Sequence, residues 1–340
     1  MRLPYKCECG ALTGMGYEIL SIHEAGTYGT VLMVTDPHGK AQCIGLKVLN
    51  QLFVDDQRVL RRARDEARIL SKLRHPNILE VYGLSDHCGW PVLQMEWVHG
   101  LSLRNLLDKA PGGLPLEIST EIIRRVSVAL DFAFEAPVGV PPKPLRLVHR
   151  DLKPGNIMVN QQGIPKIIDF GMAYGEFQNR ESITVSMVLG TRRYLSPERL
   201  DGVDDFTKGD VYANGVMLFE LLTGRVVTLS MNPKHHQTRL AKALTEVGAM
   251  VSNPSERKRL TSLLESMVAY SEEDRPGHRT VAKELEAVMA IGEHQPNLNA
   301  YAQVHIAPYI AVPEPKRVHE HARYHELSFL TADSETMPTK

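Results

Sequence analysis

The chain reads as an α+β protein of two lobes, a small β-rich one followed by a larger, mainly helical one. Three observations lead there. Short β-rich runs occupy the stretch from Tyr17 to about Leu93, and helical periodicity dominates from Leu101 onward. The 340 residues, 43% of them hydrophobic, are enough for two cores sharing a cleft.

In the first lobe, "YEIL", "GTVLMV" and "QCIGLKVL" are strand-like runs separated by Gly and Asp-Pro punctuation. One helix interrupts them between Asp56 and Leu73, where Val59, Ala63, Leu70 and Leu73 recur at helical spacing and Glu66 lies inside the apolar face. In the second lobe, helices are expected over Ile118–Phe134 and Asp210–Leu222, with short strands at "IMVN" and "PKIIDF". The segment "APVGVPPKPLR" carries prolines at 137, 141, 142 and 144, cannot continue the preceding helix and reads as a stiff connection. Beyond Glu293 the chain turns irregular, with prolines and five histidines. The expected division is an N-terminal arm over 1–16, a domain over 17–289 with lobes at about 17–95 and 99–289, and an irregular tail over 290–340.

Charge excludes one class of partner. A formal net charge of −1 offers no basic field of the kind that holds nucleic acid. Met1–Gly16 lacks an apolar signal core, and the most apolar helical run, "VYANGVMLFELL", is too short to span a bilayer and contains Glu220. The expectation is a soluble, cytoplasmic protein without a transmembrane segment. Four cysteines agree with a reducing compartment. Cys7 and Cys9 in "CECG" are half of a zinc pattern whose second half is missing, and His321 and His325 lie one helical turn apart without an evident third ligand.

The chemistry concentrates in a few places. In "EAGTYGTV", between two strands, Gly26 and Gly29 let backbone N–H groups approach an anion closely. Lys47 ends an alternating strand run and is the natural partner for Glu66, an acid that needs a cation on an apolar helix face. In "LVHRDLKPGN", Asp151 and Asn156 are five residues apart between apolar runs, and Asp169 follows the apolar strand "PKIID", which places it at that strand's buried end. Asn156 and Asp169 are hard oxygen donors suited to Mg²⁺, which completes its shell with phosphate and water. Asp151 is then free to accept a hydroxyl proton, with Lys153 near enough to neutralise a moving phosphoryl group.

Taken in order, these motifs resemble a Hanks-type serine/threonine protein kinase over about residues 17–289, most like the bacterial branch through "PGNIM" and the plain "YEIL" start. The resemblance implies the bilobal protein-kinase fold. It makes Asp151 the catalytic base, Lys153 the phosphate-neutralising lysine, Lys47 and Glu66 the ion pair that orients the α- and β-phosphates, and Asn156 and Asp169 the metal ligands. Gly26, Gly29, Val31, Lys47, Glu96 and Val98 would line the nucleotide, with Met95 in the gatekeeper position. "GTRRYLSPE" resembles the end of the activation segment, with Thr191 on the substrate side and Glu198 paired to Arg275. Asp210 in "GDVYANG" would brace the catalytic loop. Implied cofactors are ATP and Mg²⁺, with Mn²⁺ as a substitute. Implied partners are protein substrates, and a second copy of the chain during autophosphorylation.

Two departures stand out: Glu24 takes the place of the first loop glycine, and His23 that of an apolar residue. A pseudokinase or nucleotide-binding scaffold would tolerate Glu24, but no catalytic residue is lost. A small-molecule kinase would have little use for the segment ending in "GTRRYLSPE". Within that segment Ser182, Thr184 and Ser186 are candidate regulatory phosphosites facing Arg150.

Overall fold

A computed structural model describes residues 17–24, 29–35, 43–49, 64, 67–87, 90–138, 143–170, 191–200, 207–230 and 232–310. They divide into two compact units. The first holds the described residues within Met1–Arg68 and Val81–Trp97; the second holds Ile69–Glu80 and those within Val98–Ile310.

The first unit is an antiparallel five-stranded sheet: β1 (Ile19–Glu24), β2 (Gly29–Thr35), β3 (Cys43–Leu49), β4 (Val81–His87) and β5 (Trp90–Glu96), in the order β1-β2-β3-β5-β4. Its strands form because apolar, β-branched residues alternate with period two, so each strand offers one set of side chains to each face. The register sets Leu32 against Leu46 and Val34 against Ile44. These four join Tyr17 and Val92 in one buried cluster, flanked by Ile19 and Val48. Each such side chain removed from water contributes about 1.5–3 kcal/mol. The alternate positions, Val31 against Lys47 and Met33 against Gly45, necessarily share the opposite face.

The second unit is mainly helical, with helices α1 (Leu103–Lys109), α2 (Leu116–Glu135), α3 (Pro197–Leu200), α4 (Thr207–Thr223), α5 (Pro233–Met250), α6 (Pro254–Met267), α7 (His278–Ile291) and α8 (Leu298–His305). Helix α2 buries Ile118, Ile122, Val126, Ala129, Leu130 and Ala133, the stripe that a 3.6-residue period predicts. Helix α4 is apolar nearly all round, and Val211, Val216, Met217, Leu218, Phe219 and Leu221 are fully buried along it. Asn232, Asn253 and Asn297 cap α5, α6 and α8 by accepting backbone N–H groups of the first turn. A small sheet orders β10 (Pro165–Ile167), β9 (Ile157–Asn160) and β6 (Gly100–Ser102).

The α+β reading holds, a sheet-rich N-terminal part followed by a helical one, and three details depart from it. Ile69–Glu80, expected in the β-rich lobe, groups with the helical unit. Backbone bonds explain this: Leu79 N–H donates to Ile167 O, Ile167 N–H donates to Asn77 O, and the Asn77 amide donates to Pro165 O. The proline-rich connection is not a plain stiff linker, because β7 (Pro137–Val138) pairs antiparallel with β8 (Lys143–Pro144). The tail is not irregular throughout: α8 caps, folds and buries Leu298 and Ala302, and Ile306 just beyond it is also buried. Of the expected interrupting helix, residues 67–70 are helical, with Ala67, Leu70 and the following Leu73 buried. Cys7, Cys9, His321 and His325 lie outside the described residues.

Candidate active site

The predicted loop is held from beneath by one buried acid. Asp210, near the start of α4 and 3% exposed, accepts the backbone N–H groups of His149 at 2.7 Å and Arg150 at 2.9 Å. Burial pushes its carboxyl up, while His149, these two N–H groups and the Arg199 charge act to hold it down. The clamp has something to hold, since Arg150 adopts φ +70° and Asp169 φ +57°. Left-handed backbone at a residue with a side chain costs on the order of 1–3 kcal/mol and persists only where neighbours over-determine it.

His149 carries the same brace sideways. Its Nδ1 accepts the Asp151 N–H at 3.3 Å, and its Nε2 lies 3.0 Å from Ile168 O, so one tautomer, protonated at Nε2, satisfies both. The ring meets Phe170 edge-on at 5.0 Å. One side chain thus ties the loop that carries Asp151 to the strand end that carries Asp169.

Asp151 projects from this frame with two donors on it. Lys153 Nζ donates to Oδ2 at 2.7 Å; the Asn156 amide donates to the same oxygen at 3.1 Å and to the Asp151 backbone carbonyl at 2.7 Å. The two side chains of the ion pair are 38% and 29% exposed, so the pair adds only about 0–1 kcal/mol of stability. Its consequence is geometric: the carboxylate and the ammonium are kept together where solvent, and hence a substrate, can reach them.

Asn156 closes a 3₁₀ turn (Pro154–Asn156) immediately before β9. Its carbonyl accepts the Ile168 N–H at 2.9 Å across the β9–β10 hairpin, which brings Asn156 and Asp169 to the same end of that hairpin. The Asn156 amide nitrogen is committed to Asp151, leaving Oδ1 as the atom that can donate a lone pair. Asp169 corrects one expectation: it is exposed rather than buried, because β10 ends at Ile167 and the positive φ turns the chain outward between buried Ile167 and Phe170. One amide oxygen and one exposed carboxylate fit a hard cation. No group of three or more His, Cys, Asp or Glu that could hold a metal ion occurs among the described residues, so such a cation would take the rest of its shell from phosphate and water, the habit of Mg²⁺.

In the first unit, Lys47 is 3% exposed on β3, directly opposite Val31 on β2 and Leu93 on β5. The predicted nucleotide-lining residues Val31 and Lys47 therefore share one sheet face. Glu96 ends β5, and Met95 lies across from Gly45, where a Cβ would come within 3.1 Å of the Met95 side chain. Val98, 8% exposed, belongs to the second unit. Gly29 opens β2 opposite Leu49, and Glu24 ends β1 opposite Thr30. The His23 ring approaches Trp97 at 5.1 Å and accepts or donates a 2.9 Å bond with Ser21 Oγ. Gly26, Glu66, Gly171, Ser182, Thr184 and Ser186 lie outside the described residues.

Two further ion clusters stand near the end of the predicted activation segment. Glu198 meets Arg275 at 2.6 and 2.8 Å, the pair the sequence implied. The other was missed: Glu220, 1% exposed on α4, accepts Arg104 at 2.7 Å and the Tyr194 hydroxyl, while Arg104 also donates to the Tyr194 oxygen at 2.9 Å. Its signal was present, since an acid inside the run "VYANGVMLFELL" requires a buried partner. Arg199 was also missed; burial pushes its guanidinium pKa down, although the charges of Asp210 and Asp151 both act on it in the other direction.

Comparison with known proteins fits this geometry. The family model described as the protein kinase domain matches residues 17–285, so the chain belongs to the protein kinase family. It is 31% identical over 275 residues to the serine/threonine-protein kinase PrkC of Bacillus subtilis, covering 80% of this chain and 39% of that protein. It is 32% identical over 278 residues to the serine/threonine-protein kinase PksC of Streptomyces coelicolor, covering 79% and 47%. The chain thus spans less than half the length of these curated relatives. In fold it is similar to the Mycobacterium tuberculosis PknI kinase domain, with a TM-score of 0.58 and 24% identity over 80% of this chain and 96% of that one.

Proposed function

We propose that the protein transfers the γ-phosphoryl group of ATP to serine or threonine hydroxyls of protein substrates, itself included. The observation that carries this reading is Asp151: an accessible carboxylate, oriented by Asn156, with the Lys153 ammonium on the same oxygen, on a loop clamped by buried Asp210. Asp151 accepts the hydroxyl proton as the substrate oxygen bonds to the γ-phosphorus and the bond to the ADP leaving group breaks. Lys153 offsets charge on the phosphoryl oxygens in transit. Lys47, buried beside Val31, supplies a fixed positive charge for the α- and β-phosphates, with Glu66 its proposed partner and Gly26, Gly29, Glu96 and Val98 lining the nucleotide. Asn156 and Asp169 would hold Mg²⁺, or Mn²⁺ in its place, which when bound neutralises and orients the phosphates.

The serine/threonine assignment is supported by Lys153 two residues after the base and by the names of the relatives. A signalling role in the cytoplasm, on a domain spanning about 17–289, is part of the same reading. No helix among the described residues is long and apolar enough to cross a membrane. The test is to incubate the purified chain with ATP and Mg²⁺, with and without a chelator, and to map phosphorylated residues by mass spectrometry. Metal-dependent phosphoserine and phosphothreonine are expected; no transfer, or transfer that survives chelation, would overturn the reading.

A further inference from the structure

Helix α8 lies after the last residue matched by the kinase family model, so nothing in that match accounts for it. It packs against α2 and also docks on the turn that joins β9 to β10. The Asn299 amide donates to Gln162 O at 3.3 Å and the Gln303 amide donates to Gln161 O at 2.9 Å. Residues four apart on a helix share a face, so the two amides meet two successive carbonyls of the turn. Leu298, Ala302 and Ile306, again at spacing four, form the adjoining buried stripe. The turn is shaped for this contact. Gly163 has φ +75°, and a Cβ there would lie 2.2 Å from Leu298 O, so only glycine suits both the backbone and the approach of the helix. Asn160 holds the turn from inside, its Oδ1 accepting the N–H groups of Gln162 and Ile164 at 3.0 and 2.8 Å. Beyond α8, Lys109 of α1 places its ammonium 3.7 Å from the centre of the Tyr309 ring, which anchors the far end of the segment.

We infer that α8 is a clamp on the β9–β10 hairpin that positions Asn156 and Asp169, at the hairpin's opposite end, for sharing one divalent cation. The inference rests on the metal-ligand roles proposed above. A four-residue strand transmits the constraint directly: β9 runs from the residue after Asn156 to Asn160, and β10 ends two residues before Asp169. Asn156 and Asp169 touch the cation, whereas Asn299 and Gln303 are positioning residues that act through the turn.

The test compares the full chain with an Asn299→Ala, Gln303→Ala double variant and with Gln303→Glu, which keeps the shape but removes the donor. Alanine favours helix more than either residue it replaces, so a loss cannot be assigned to melting of α8. Two readouts are taken. Hydrogen exchange at the Gly163 and Ile164 amides should accelerate about tenfold in Gln303→Glu, on the scale of one lost neutral hydrogen bond, and by more in the double variant, which loses two. The Mg²⁺ concentration for half-maximal ATP binding by calorimetry should rise about three- to tenfold, somewhat less than for removal of a direct partner of a metal ligand, with affinity at saturating Mg²⁺ little changed. Unchanged exchange would overturn the clamp. Accelerated exchange with an unchanged Mg²⁺ requirement would overturn the positioning role and leave α8 a cover. Because exchange does not depend on catalysis, a wild-type chain that transferred no phosphate would reject the proposed function separately.

Discussion

Arg275 and Glu198 close a two-point ion pair across 77 positions of sequence, at 2.6 and 2.8 Å, and the arginine side chain is completely buried. The remaining guanidinium donors reach the backbone carbonyls of Ala269, Tyr270 and Lys208. Arg275 therefore leaves no hydrogen unpaired, the condition under which a buried charge is tolerated. Arg275→Met removes the pair and strands Glu198 without a counter-charge. We expect a loss of about 3–5 kcal/mol in urea unfolding. Arg275→Lys should rescue little, since an ammonium cannot reproduce the planar fork. A loss below 1 kcal/mol would show that the pair is solvated.

The same pair predicts a pH dependence. Burial acts to raise the Glu198 carboxyl, but the two Arg275 hydrogen bonds and the arginine charge outweigh it and hold the carboxyl below the usual glutamate range. A folded value below the unfolded one means the contribution is complete above that range and disappears as pH falls through it toward the folded value. Wild-type unfolding midpoints should therefore decline more steeply than those of Glu198→Gln as pH falls through and below the ordinary glutamate range. Parallel declines would contradict the assignment.

Asp210 offers a test that separates bracing from chemistry. Asp210→Asn retains one acceptor but turns an amide N–H₂ toward the second backbone N–H, so either His149 or Arg150 loses its partner. The strained φ of Arg150 would then relax, shifting the Asp151 carboxylate. Stability should fall by about 1–3 kcal/mol, the cost of an unsatisfied buried donor. Phosphotransfer should fall by at least tenfold more than that unfolding explains. ATP binding measured by calorimetry should be preserved, and a matching loss of binding would show that the brace serves nucleotide affinity instead.

The Arg104, Tyr194 and Glu220 cluster joins α1, α4 and the "TRRY" turn (Thr191–Tyr194) through one buried carboxylate. Burial, then the Glu220 hydrogen bond and charge, push the Tyr194 phenol well above its ordinary value, so it remains a donor across the accessible pH range. Tyr194→Phe should cost about 1–3 kcal/mol by leaving one Glu220 oxygen unpaired. The double variant with Glu220→Gln should recover part of that loss. Strict additivity in the double-mutant cycle would deny the coupling.

Legibility in the sequence followed the range of the signal. Strands "GTVLMV" and "IMVN" could be read because period-two alternation is local, and α4 because its apolar run is continuous. Asp151, Lys153 and Asn156 could be read because one loop carries all three. What was missed acts across the chain: Arg104 has no local mark that it will meet Glu220, and His149 sits inside the quoted motif without any spacing that reveals its bond to Ile168. The exposure of Asp169 was misread because the apolar run before it gives no sign of a positive φ. That Ile69–Glu80 groups with the helical unit has no local signal, because its partners, Pro165 and Ile167, lie some ninety positions onward. Helix α8 was hidden by the prolines and histidines around it, which outweigh Leu298, Ala302 and Ile306 in a composition count.

The central claim is that Asp151 takes the proton from a serine or threonine hydroxyl during phosphoryl transfer, and Asp151→Asn tests it most directly. The substitution keeps the size of the side chain and removes its basicity. Initial rates of labelled phosphate transfer to an added protein substrate should fall by roughly 10²-fold or more, the scale of a positioned base, with Mg·ATP affinity within about twofold of wild type on the scale where tenfold is 1.4 kcal/mol. Undiminished transfer by Asp151→Asn would contradict the account.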